Sequence, residues 1–299
     1  MKTLYESFID FRFFLEKVYS FFFRNDKEKD TYEYNISYVL IFKNEVDYIR
    51  EWIEYHRLIS GQNTHFYLYD NKSTDNPKFI LQKYIDDGIV TYKYVNAETY
   101  PQVQIYTDAI LRYRFKTRYM VFIDADEFIV PTDSSSTLQD IIDKQFSKKN
   151  VGGICINWLC FGSSGRISKP EGLVIESYLQ RSKFEYDANK HIKTIANPRK
   201  VMWFSCAHNP KYYKNNHNIN DEDEFVDDFY NLNRTYKLLS LHHYASKSLE
   251  ESEKRVQKGF GKKWYGNKTN SKHSPHDFND VFDDSILRYA EEVKKRLQL

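Results

Sequence analysis

Three carboxylates stand within four residues at Asp124, Asp126 and Glu127, directly after the mostly apolar run at residues 119–123. Such a run predicts a strand buried on both faces, so the acids should follow the end of that strand. Carboxylates this close repel one another and lose hydration beside buried chain, and they therefore need a cation. Oxygen ligands favour Mg²⁺ or Mn²⁺, ions that bind one or two carboxylates together with substrate phosphates. The stretch predicts a metal site for a phosphate-bearing substrate, and a solvated acidic turn is the alternative.

The elements that would position this stretch alternate regularly in the first half of the chain. Apolar patterns predict strands at residues 36–42, 65–69, 89–94 and 119–123, with helices between them. This alternation predicts an α/β fold with a Rossmann-like, mostly parallel central sheet and helices on both faces.

Polar residues follow three of these predicted strands. Lys43, Asn44 and Glu45 come after the first strand, and Asp70 comes after the second. Together with the acidic stretch, they are expected at one edge of the sheet, beyond the carboxyl ends of the strands, where ligands bind. Asn44, with Asp47 three residues later, also resembles a capping box that begins the next helix.

The second half of the chain is less regular. Strands are predicted at residues 151–158 and 238–244, and a helix is predicted at residues 246–258. Ser248 and Glu251 form a capping box near the start of that helix.

The composition indicates a globular protein. Of the 299 residues, 41% are hydrophobic, which is enough for a substantial core. The 44 basic and 42 acidic residues leave a net charge of +2, which is too balanced for a dedicated nucleic-acid binder. Three cysteines without metal-ligand spacing favour a reduced, cytoplasmic protein. No apolar run approaches the ~18 residues of a membrane span, and no secretory signal is evident.

Residues 1–24 are predicted to form a helix in which Phe residues alternate with Lys and Arg. A helix of this kind can lie in a membrane surface, and here that would be the inner face of the membrane. It can equally pack on its own domain or on a second subunit, and the sequence leaves these alternatives open.

Several blocks of the chain resemble glycosyltransferase family 92 and the related family-2-like bacterial glycosyltransferases. The blocks occur in family order at residues 43–45, 51–56, 65–75, 122–128, 158–165 and 243–248. The resemblance covers roughly residues 36 to 260 and is specific as a set. It does not extend to the first thirty or the last forty residues.

This resemblance implies a GT-A fold and a division of the chain. A nucleotide-sugar half at residues 31–132 and an acceptor half at residues 133–270 would share one sheet. The helix within residues 1–30 would precede them, and a C-terminal helix within residues 271–299 would follow.

The resemblance also implies site residues. Asp124 and Asp126 match its Asp-x-Asp motif and, with His243, would hold the Mn²⁺ or Mg²⁺ cofactor. The implied nucleotide-sugar-binding residues are Lys43, Asn44, Glu45, Asp70, Asp124, Arg181, Lys193 and Lys247. The implied acceptor-binding residues are Trp158, Phe161, Ser163 and Ser164, with core packing as the alternative for Trp158.

The chemistry follows from charge. Departure of the nucleotide leaves extra negative charge on its diphosphate, which a metal and Lys or Arg side chains can stabilise. An inverting transfer, which the resemblance implies, also needs a carboxylate base near the acceptor hydroxyl. Glu176, Glu127 and Asp187 are the candidates, and the sequence does not choose among them.

We therefore expect a metal-dependent enzyme of polysaccharide biosynthesis that moves a hexose, galactose first among the candidates, from a UDP-sugar to a glycan or glycolipid acceptor. One alternative is a nucleotidyltransferase, but residues 42–45 lack the glycine-rich phosphate loop that such enzymes commonly carry. The other is a non-catalytic glycan- or membrane-binding protein on a transferase scaffold, which the intact acidic triplet disfavours.

Overall fold

The computed structural model describes residues 4–22, 31–98, 101–257 and 277–299. The helices are α1 (Leu4–Phe22), α2 (Ile49–Ser60), α3 (Pro77–Asp86), α4 (Gln102–Tyr113), α5 (Leu138–Phe146), α6 (Val174–Ser177), α7 (Leu249–Gln257) and α8 (Ala290–Leu297). Short 3-10 turns lie at Asp187–Lys190 and Leu287–Tyr289. Residues 1–3 and 23–24 of the predicted N-terminal helix, and residue 258 of the predicted helix at 246–258, lie outside the described residues.

The strands of the first half are β1 (Tyr34–Phe42), β2 (Thr64–Asn71), β3 (Val90–Val95), β4 (Thr117–Phe122) and β5 (Glu127–Pro131). Those of the second half are β6 (Val151–Cys160), β7 (Gln180–Arg181), β8 (Ile192–Ala196), β9 (Val201–Phe204), β10 (Pro210–Tyr212), β11 (His217–Ile219), β12 (Phe225–Val226), β13 (Leu239–His243) and β14 (Val281–Phe282). All four strands that the sequence predicts in the first half are present.

One ten-stranded sheet organises the fold. Its main path runs β12-β11-β6-β8-β4-β1-β2-β3, and β13 adds to β6 and carries β5 on its other side. The strands β3, β2, β1 and β4 are parallel neighbours, whereas β8 is antiparallel to both β4 and β6. Both halves of the chain therefore share one sheet, and the predicted α/β class is confirmed.

Helices cover both faces of this sheet because side chains alternate along each strand. On β1, Tyr38 and Leu40 pack in one core with residues of α2, α3 and α5. Val39 and Ile41 pack in a second core with residues of α4. The strand is buried on both sides, as its continuous apolar run predicts.

The start of α2 differs from the prediction. The helix begins at Ile49 and has no side-chain cap. Asn44 has φ of 59°, and its Oδ1 accepts a hydrogen bond from the backbone N–H of Thr74 at 2.7 Å. Asn44 thus ties the loop after β1 to the loop after β2, and the capping box proposed for Asn44 and Asp47 is wrong.

The capping box at α7 is confirmed. The backbone N–H of Glu251 donates to Ser248 Oγ at 3.3 Å, and the backbone N–H of Ser248 donates to Glu251 Oε2 at 3.1 Å. Both contacts are local in sequence, which is why the pattern was sufficient to predict them. None of the described helices combines the length and the apolarity of a membrane span.

Candidate active site

The acidic stretch forms a tight turn between β4 and β5. Glu127 folds back over this turn, where its Oε2 accepts the backbone N–H of Asp124 at 2.7 Å and its Oε1 accepts Trp158 Nε1–H at 2.7 Å. From α2, the Trp52 indole N–H donates to the carbonyl oxygens of Asp124 and Glu127, at 3.1 and 3.0 Å. The turn is therefore fixed from both sides by indole N–H groups.

Lys193 supplies the positive charge inside this turn. Its Nζ lies 2.7 Å from Asp124 Oδ2 and 3.5 Å from Glu127 Oε2, and its side chain is only 1% exposed. Burial lowers the pKa of an ammonium group, but the Asp124 and Glu127 carboxylates outweigh burial and raise the pKa of Lys193. Burial raises the pKa of Glu127 above its ordinary value, and Lys193 opposes this rise. The other oxygen of Asp124, Oδ1, accepts Gln102 Nε2–H at 2.8 Å.

Asp126 faces a different set of partners. Its Oδ2 lies 2.7 Å from Arg255 Nη1 of α7 and 3.8 Å from His243 Nε2 at the end of β13. Burial by itself raises the pKa of the Asp126 carboxyl. Arg255, together with His243 and Lys247, outweighs this effect and holds that pKa below its usual range. Two acids separated by one residue are thus neutralised by different cations.

A cleft opens above Asp126. One wall comes from the loop after β1, and the opposite wall comes from α7 and the segment before it. The charged and aromatic residues that line it are Glu45, Asp47, Tyr48, Asp126, Lys169, Lys247, Glu251, Lys254 and Arg255. Lys247 Nζ lies 3.7 Å from the centre of the Tyr48 ring, and Lys169 Nζ lies 2.8 Å from Asp47 Oδ2. Four cations and four carboxylates therefore line the cleft, and Lys and Arg side chains of this kind can bind the phosphates of a ligand.

Asp70 shapes the neighbouring loop. It is buried, its Oδ1 accepts the backbone N–H of Ser73 at 2.8 Å, and its Oδ2 accepts Tyr92 O–H at 2.5 Å. Both of its oxygens have local partners at the carboxyl end of β2. Asp70 lies at the predicted edge of the sheet, and its contact with a nucleotide stays a prediction.

Trp158 is a packing residue as well as a hydrogen-bond donor. Its ring stacks on His191 at 4.6 Å between ring centroids and lies 4.1 Å from His243. Trp158 is half-buried, and it links Glu127 to His243. This arrangement matches the core-packing alternative for Trp158 better than a flat face open to a sugar.

Other predicted acceptor residues are also covered. Phe161 is fully buried and packs on His242 and Tyr244, so its faces are not open to a sugar ring. The buried Ser163 donates its backbone N–H to Asp277 Oδ1 at 2.6 Å, and Ser164 Oγ accepts two backbone N–H groups from residues 179 and 180. These contacts fasten the loop at residues 161–165, and an acceptor contact through Phe161 or Ser163 does not fit them.

Three further predicted residues lie in ion pairs away from the acidic turn. Arg181 Nε lies 2.6 Å from Asp283 Oδ2, so its charge serves the C-terminal segment and not the acidic turn. Glu176 Oε1 lies 2.5 Å from Lys294 Nζ of α8. Asp187, whose side chain is 84% exposed, pairs with the nearby Lys190. Of the three candidate bases, the structure brings only Glu127 to the acidic turn, and both of its oxygens already accept hydrogen bonds.

Arg255, Gln102 and Trp52 belong to the site but were not predicted from the sequence. Trp52 could have been found, because it lies in a block that carries the family resemblance. Arg255 and Gln102 carry no local signal, since each meets its aspartate only through the tertiary fold.

The side chains of the site can be compared with the ligands that a divalent metal ion requires. Within residues 4–22, 31–98, 101–257 and 277–299, no group of three His, Cys, Asp or Glu side chains is placed to hold a metal ion. Asp124 Oδ2 is paired with Lys193 at 2.7 Å, and its joining Asp126 and His243 at one ion stays a prediction. Asp126 Oδ2 and His243 Nε2 are near enough to serve one ion whose shell is completed by phosphate oxygens. Arg255 lies 2.7 Å from this same Oδ2 of Asp126, so an ion held by Asp126 and His243 would displace Arg255, just as an ion at Asp124 would displace Lys193.

The known proteins that this chain resembles in sequence are glycosyltransferases. The model of "Glycosyltransferase family 92" matches residues 36–288. A galactan beta-1,4-galactosyltransferase of Arabidopsis thaliana is 31% identical over 126 residues, which is 39% of this chain and 24% of that protein. A glycosyltransferase family 92 protein of Oryza sativa subsp. japonica is 29% identical over 141 residues, which is 47% of this chain and 24% of that protein. The chain thus aligns with about a quarter of the length of these relatives.

Among solved structures, the S. aureus TarS fragment 1-349 in complex with UDP-GlcNAc matches with a TM-score of 0.36 and 16% identity. The match covers 55% of this chain and 45% of that one. The mannosyltransferase PcManGT from Pyrobaculum calidifontis matches with a TM-score of 0.33 and 16% identity, over 54% of this chain and 43% of that one.

The architecture agrees with the GT-A arrangement expected from the resemblance, because strands from both halves share one sheet and the acidic turn follows β4 at its carboxyl edge. The family model spans most of the chain and includes the acidic turn, His243 and Arg255. The chain belongs to glycosyltransferase family 92.

Proposed function

We propose that the chain is a glycosyltransferase that moves a hexose from a UDP-sugar to a glycan or glycolipid acceptor, with galactose as the first candidate. Family membership supports the reaction class, and the name of the Arabidopsis relative supports galactose. One observation carries the proposal. At the carboxyl edge of the parallel strands, Asp126 lies beside His243 and Arg255 and opens onto a cleft that also contains Lys247.

The cations of the cleft would bind the donor. A nucleoside diphosphate carries negative charge that grows as the bond to the sugar carbon breaks, and fixed cations in a partly dry site stabilise that charge. Lys247 and Arg255 are placed for this role on the wall opposite Tyr48. We propose that they hold the diphosphate, while the loops after β1 and β2 form the wall for the nucleoside.

Asp126 and His243 would hold the Mn²⁺ or Mg²⁺ cofactor. When bound, such an ion supplies positive charge to the departing diphosphate. Asp124 instead orients Lys193 and Gln102 beneath this site.

Glu127 acts in this proposal as a positioning residue. Its carboxylate is fully buried and joins the turn backbone, Trp158 and Lys193, so it holds Asp124 and Asp126 in place and does not receive a proton from an acceptor. An inverting course stays a prediction. A cytoplasmic location also belongs to the proposal, and it is supported by the free thiols of Cys155, Cys160 and Cys206.

The test is a panel of nucleotide sugars scored by release of UDP, with and without added Mn²⁺, in the full chain and in Asp126→Asn. We expect Mn²⁺-stimulated UDP release that falls by on the order of 10²-fold or more in the variant, because the substitution removes a charge used in the transition state. Asp187→Asn is the matched control, since it alters an exposed acid outside the cleft.

Three outcomes would contradict the proposal. Formation of UTP and a sugar 1-phosphate from a UDP-sugar and added pyrophosphate, without release of UDP, would indicate a nucleotidyltransferase. A thermal shift with UDP and Mn²⁺ but no turnover with any donor sugar and glycan acceptor would indicate a binding protein. Full activity of Asp126→Asn would remove Asp126 from the site.

A further inference from the structure

Helix α1 presents an apolar face to solvent between Phe8 and Phe22. Its exposed side chains include Phe8, Phe11, Phe14, Val18, Phe21 and Phe22, with exposed fractions from 40% at Val18 to 70% at Phe22. Residues 8, 11, 15, 18 and 22 follow one another at helical spacing, so they form one continuous stripe. A helix of 19 residues is about 28 Å long, so this stripe is far larger than the single exposed apolar residues of an ordinary surface.

The opposite side of α1 holds the helix on the domain through polar groups. Gln104 Nε2–H of α4 donates to Asp10 Oδ1 at 3.2 Å, and Arg12 pairs with Asp108 of α4. Lys17 Nζ lies 5.2 Å from the centre of the Trp203 ring on β9. An ordinary surface helix turns its apolar side inward, whereas α1 leaves most of its described phenylalanines exposed. The apolar face is therefore displayed by a helix whose orientation is fixed by specific contacts.

A crevice with excess positive charge adjoins this face. It is lined in part by Phe8, Arg12, Lys93, Asp108 and Arg112. Asp108 is the one carboxylate among its lining residues, and three cations converge on it: Arg12, Arg112 Nε at 2.7 Å and Lys93 Nζ at 3.9 Å. Phe8 belongs to both the crevice and the exposed face, so apolar and cationic surfaces are continuous.

We propose that α1 and this crevice together form a docking surface for an anionic lipid bilayer. An interfacial helix buries its apolar face at the boundary between headgroups and acyl chains, and cations at its edge attract anionic headgroups. A second copy of the chain could cover the phenylalanines, but it would bring a second Lys93 and a second Arg112 to the same interface, where the like charges repel. A bilayer with anionic lipids satisfies both surfaces, and this inference does not depend on the transferase reaction.

The experiment is flotation of the full chain with vesicles of phosphatidylcholine alone and with vesicles that also contain phosphatidylglycerol. We expect binding to the anionic vesicles that weakens with added salt. Phe11→Glu with Phe14→Glu should abolish it. Phe79→Glu with Phe225→Glu is the matched control, because these two exposed phenylalanines lie elsewhere, at 75% and 61% exposure, and their replacement should leave binding unchanged.

The charge is tested separately with Lys93→Gln combined with Arg112→Gln. Each cation near an anionic surface contributes several-fold to affinity, so this pair should weaken binding on the order of tenfold. Thermal unfolding of every variant confirms that the fold is intact.

Several results would overturn the proposal: no flotation of the unaltered chain, unchanged flotation of the α1 variant, or equal binding to both vesicle types without a response to the charge variant. Light scattering that shows a dimer, lost in the α1 variant and unaccompanied by vesicle binding, would assign the face to a second copy.

Discussion

The acidic turn and helix α1 depart from the usual distribution of residues in opposite ways. At the turn, Glu127 and Lys193 are fully buried charges, at 0% and 1% exposure. On α1, Phe21 and Phe22 are exposed apolar side chains, at 69% and 70%. Both arrangements cost free energy in an isolated chain, since buried charge loses hydration and exposed apolar surface retains unfavourable contact with water.

The two regions differ in what compensates this cost. Each buried charge of the turn has a partner within the protein, so the turn is complete as a structural unit. The apolar face of α1 stays 40–70% exposed among the described residues, so most of its surface is available to a further partner. A cluster of buried charges that all have partners within the protein indicates a preorganised site. A large exposed apolar face indicates an interface with another molecule.

The largest effect that could test this contrast is expected at Lys193. Lys193→Met should lower the free energy of unfolding by about 3–5 kcal/mol, because Asp124 and Glu127 would lose the buried cation that stabilises their carboxylates. Urea unfolding measures this change. Lys83→Met is the matched control, since Lys83 forms an exposed pair with Asp87, and it should change stability by less than about 1 kcal/mol.

Glu127→Gln added to Lys193→Met should recover part of the lost stability, because it removes the charge left without a partner. If Lys193→Met unfolds at the same urea concentration as the unaltered chain, the acidic turn does not depend on internal charge matching.

The same contrast explains how far the sequence could predict the site. The carboxyl ends of β1, β2 and β4 were predictable, because buried parallel strands have continuous apolar runs and polar residues follow each of them. The partners of the charges were not. Arg181 was expected near a diphosphate, yet it pairs with Asp283, which lies 102 residues further along the chain.

Arg255 meets Asp126 across 129 residues, and neither residue carries a local pattern that announces the contact. A local sequence pattern also fails to predict a contact when the same pattern fits two different structures. Asn44 is followed by an acid three residues later, as in a capping box, but its side chain bonds to the next loop because that loop lies beside it in the sheet. Trp158 could suit a sugar face or a core, and its tertiary contacts with His191 and His243 decide between these roles.

A second test compares two buried carboxylates with and without an adjacent cation. Burial raises the pKa of Glu51 from 4.5 to about 7, although the backbone N–H groups of Val174 and Ile175 that it accepts oppose this rise. The pKa of Asp126 is held below 3.8 by its cations after burial has been overcome. The two groups should therefore give stability opposite dependences on pH.

The signs follow from which state binds protons more tightly. For Glu51 the folded state does, so its contribution is present below about pH 4.5 and is lost as the pH rises toward 7. For Asp126 the unfolded state does, so its contribution is present above about pH 3.8 and is lost on further acidification. Between about pH 5 and pH 8, the free energy of unfolding of Glu51→Gln should rise by about 1–3 kcal/mol relative to that of the unaltered chain. Asp126→Asn should be less stable than the unaltered chain at neutral pH, and this difference in free energy of unfolding should shrink as the pH falls below about 3.8. Urea unfolding across pH measures both, and equal slopes for the two variants would contradict the assignment.

The smallest effect is expected on α1 and completes the comparison. In the absence of lipid, Phe11→Glu with Phe14→Glu should change the free energy of unfolding by less than about 1 kcal/mol, because both rings are 60% exposed and the substitutions leave the contacts of Asp10 and Arg12 with α4 in place. The measurement is urea unfolding at two protein concentrations. Stability that depends on protein concentration, and that falls by several kcal/mol in the variant, would mean that a second copy already covers this face. A result near zero at both concentrations would leave the phenylalanines without a structural role in the isolated chain. The phenylalanines would then make their stabilising contacts with another molecule, whereas Lys193 makes its stabilising contacts within the chain.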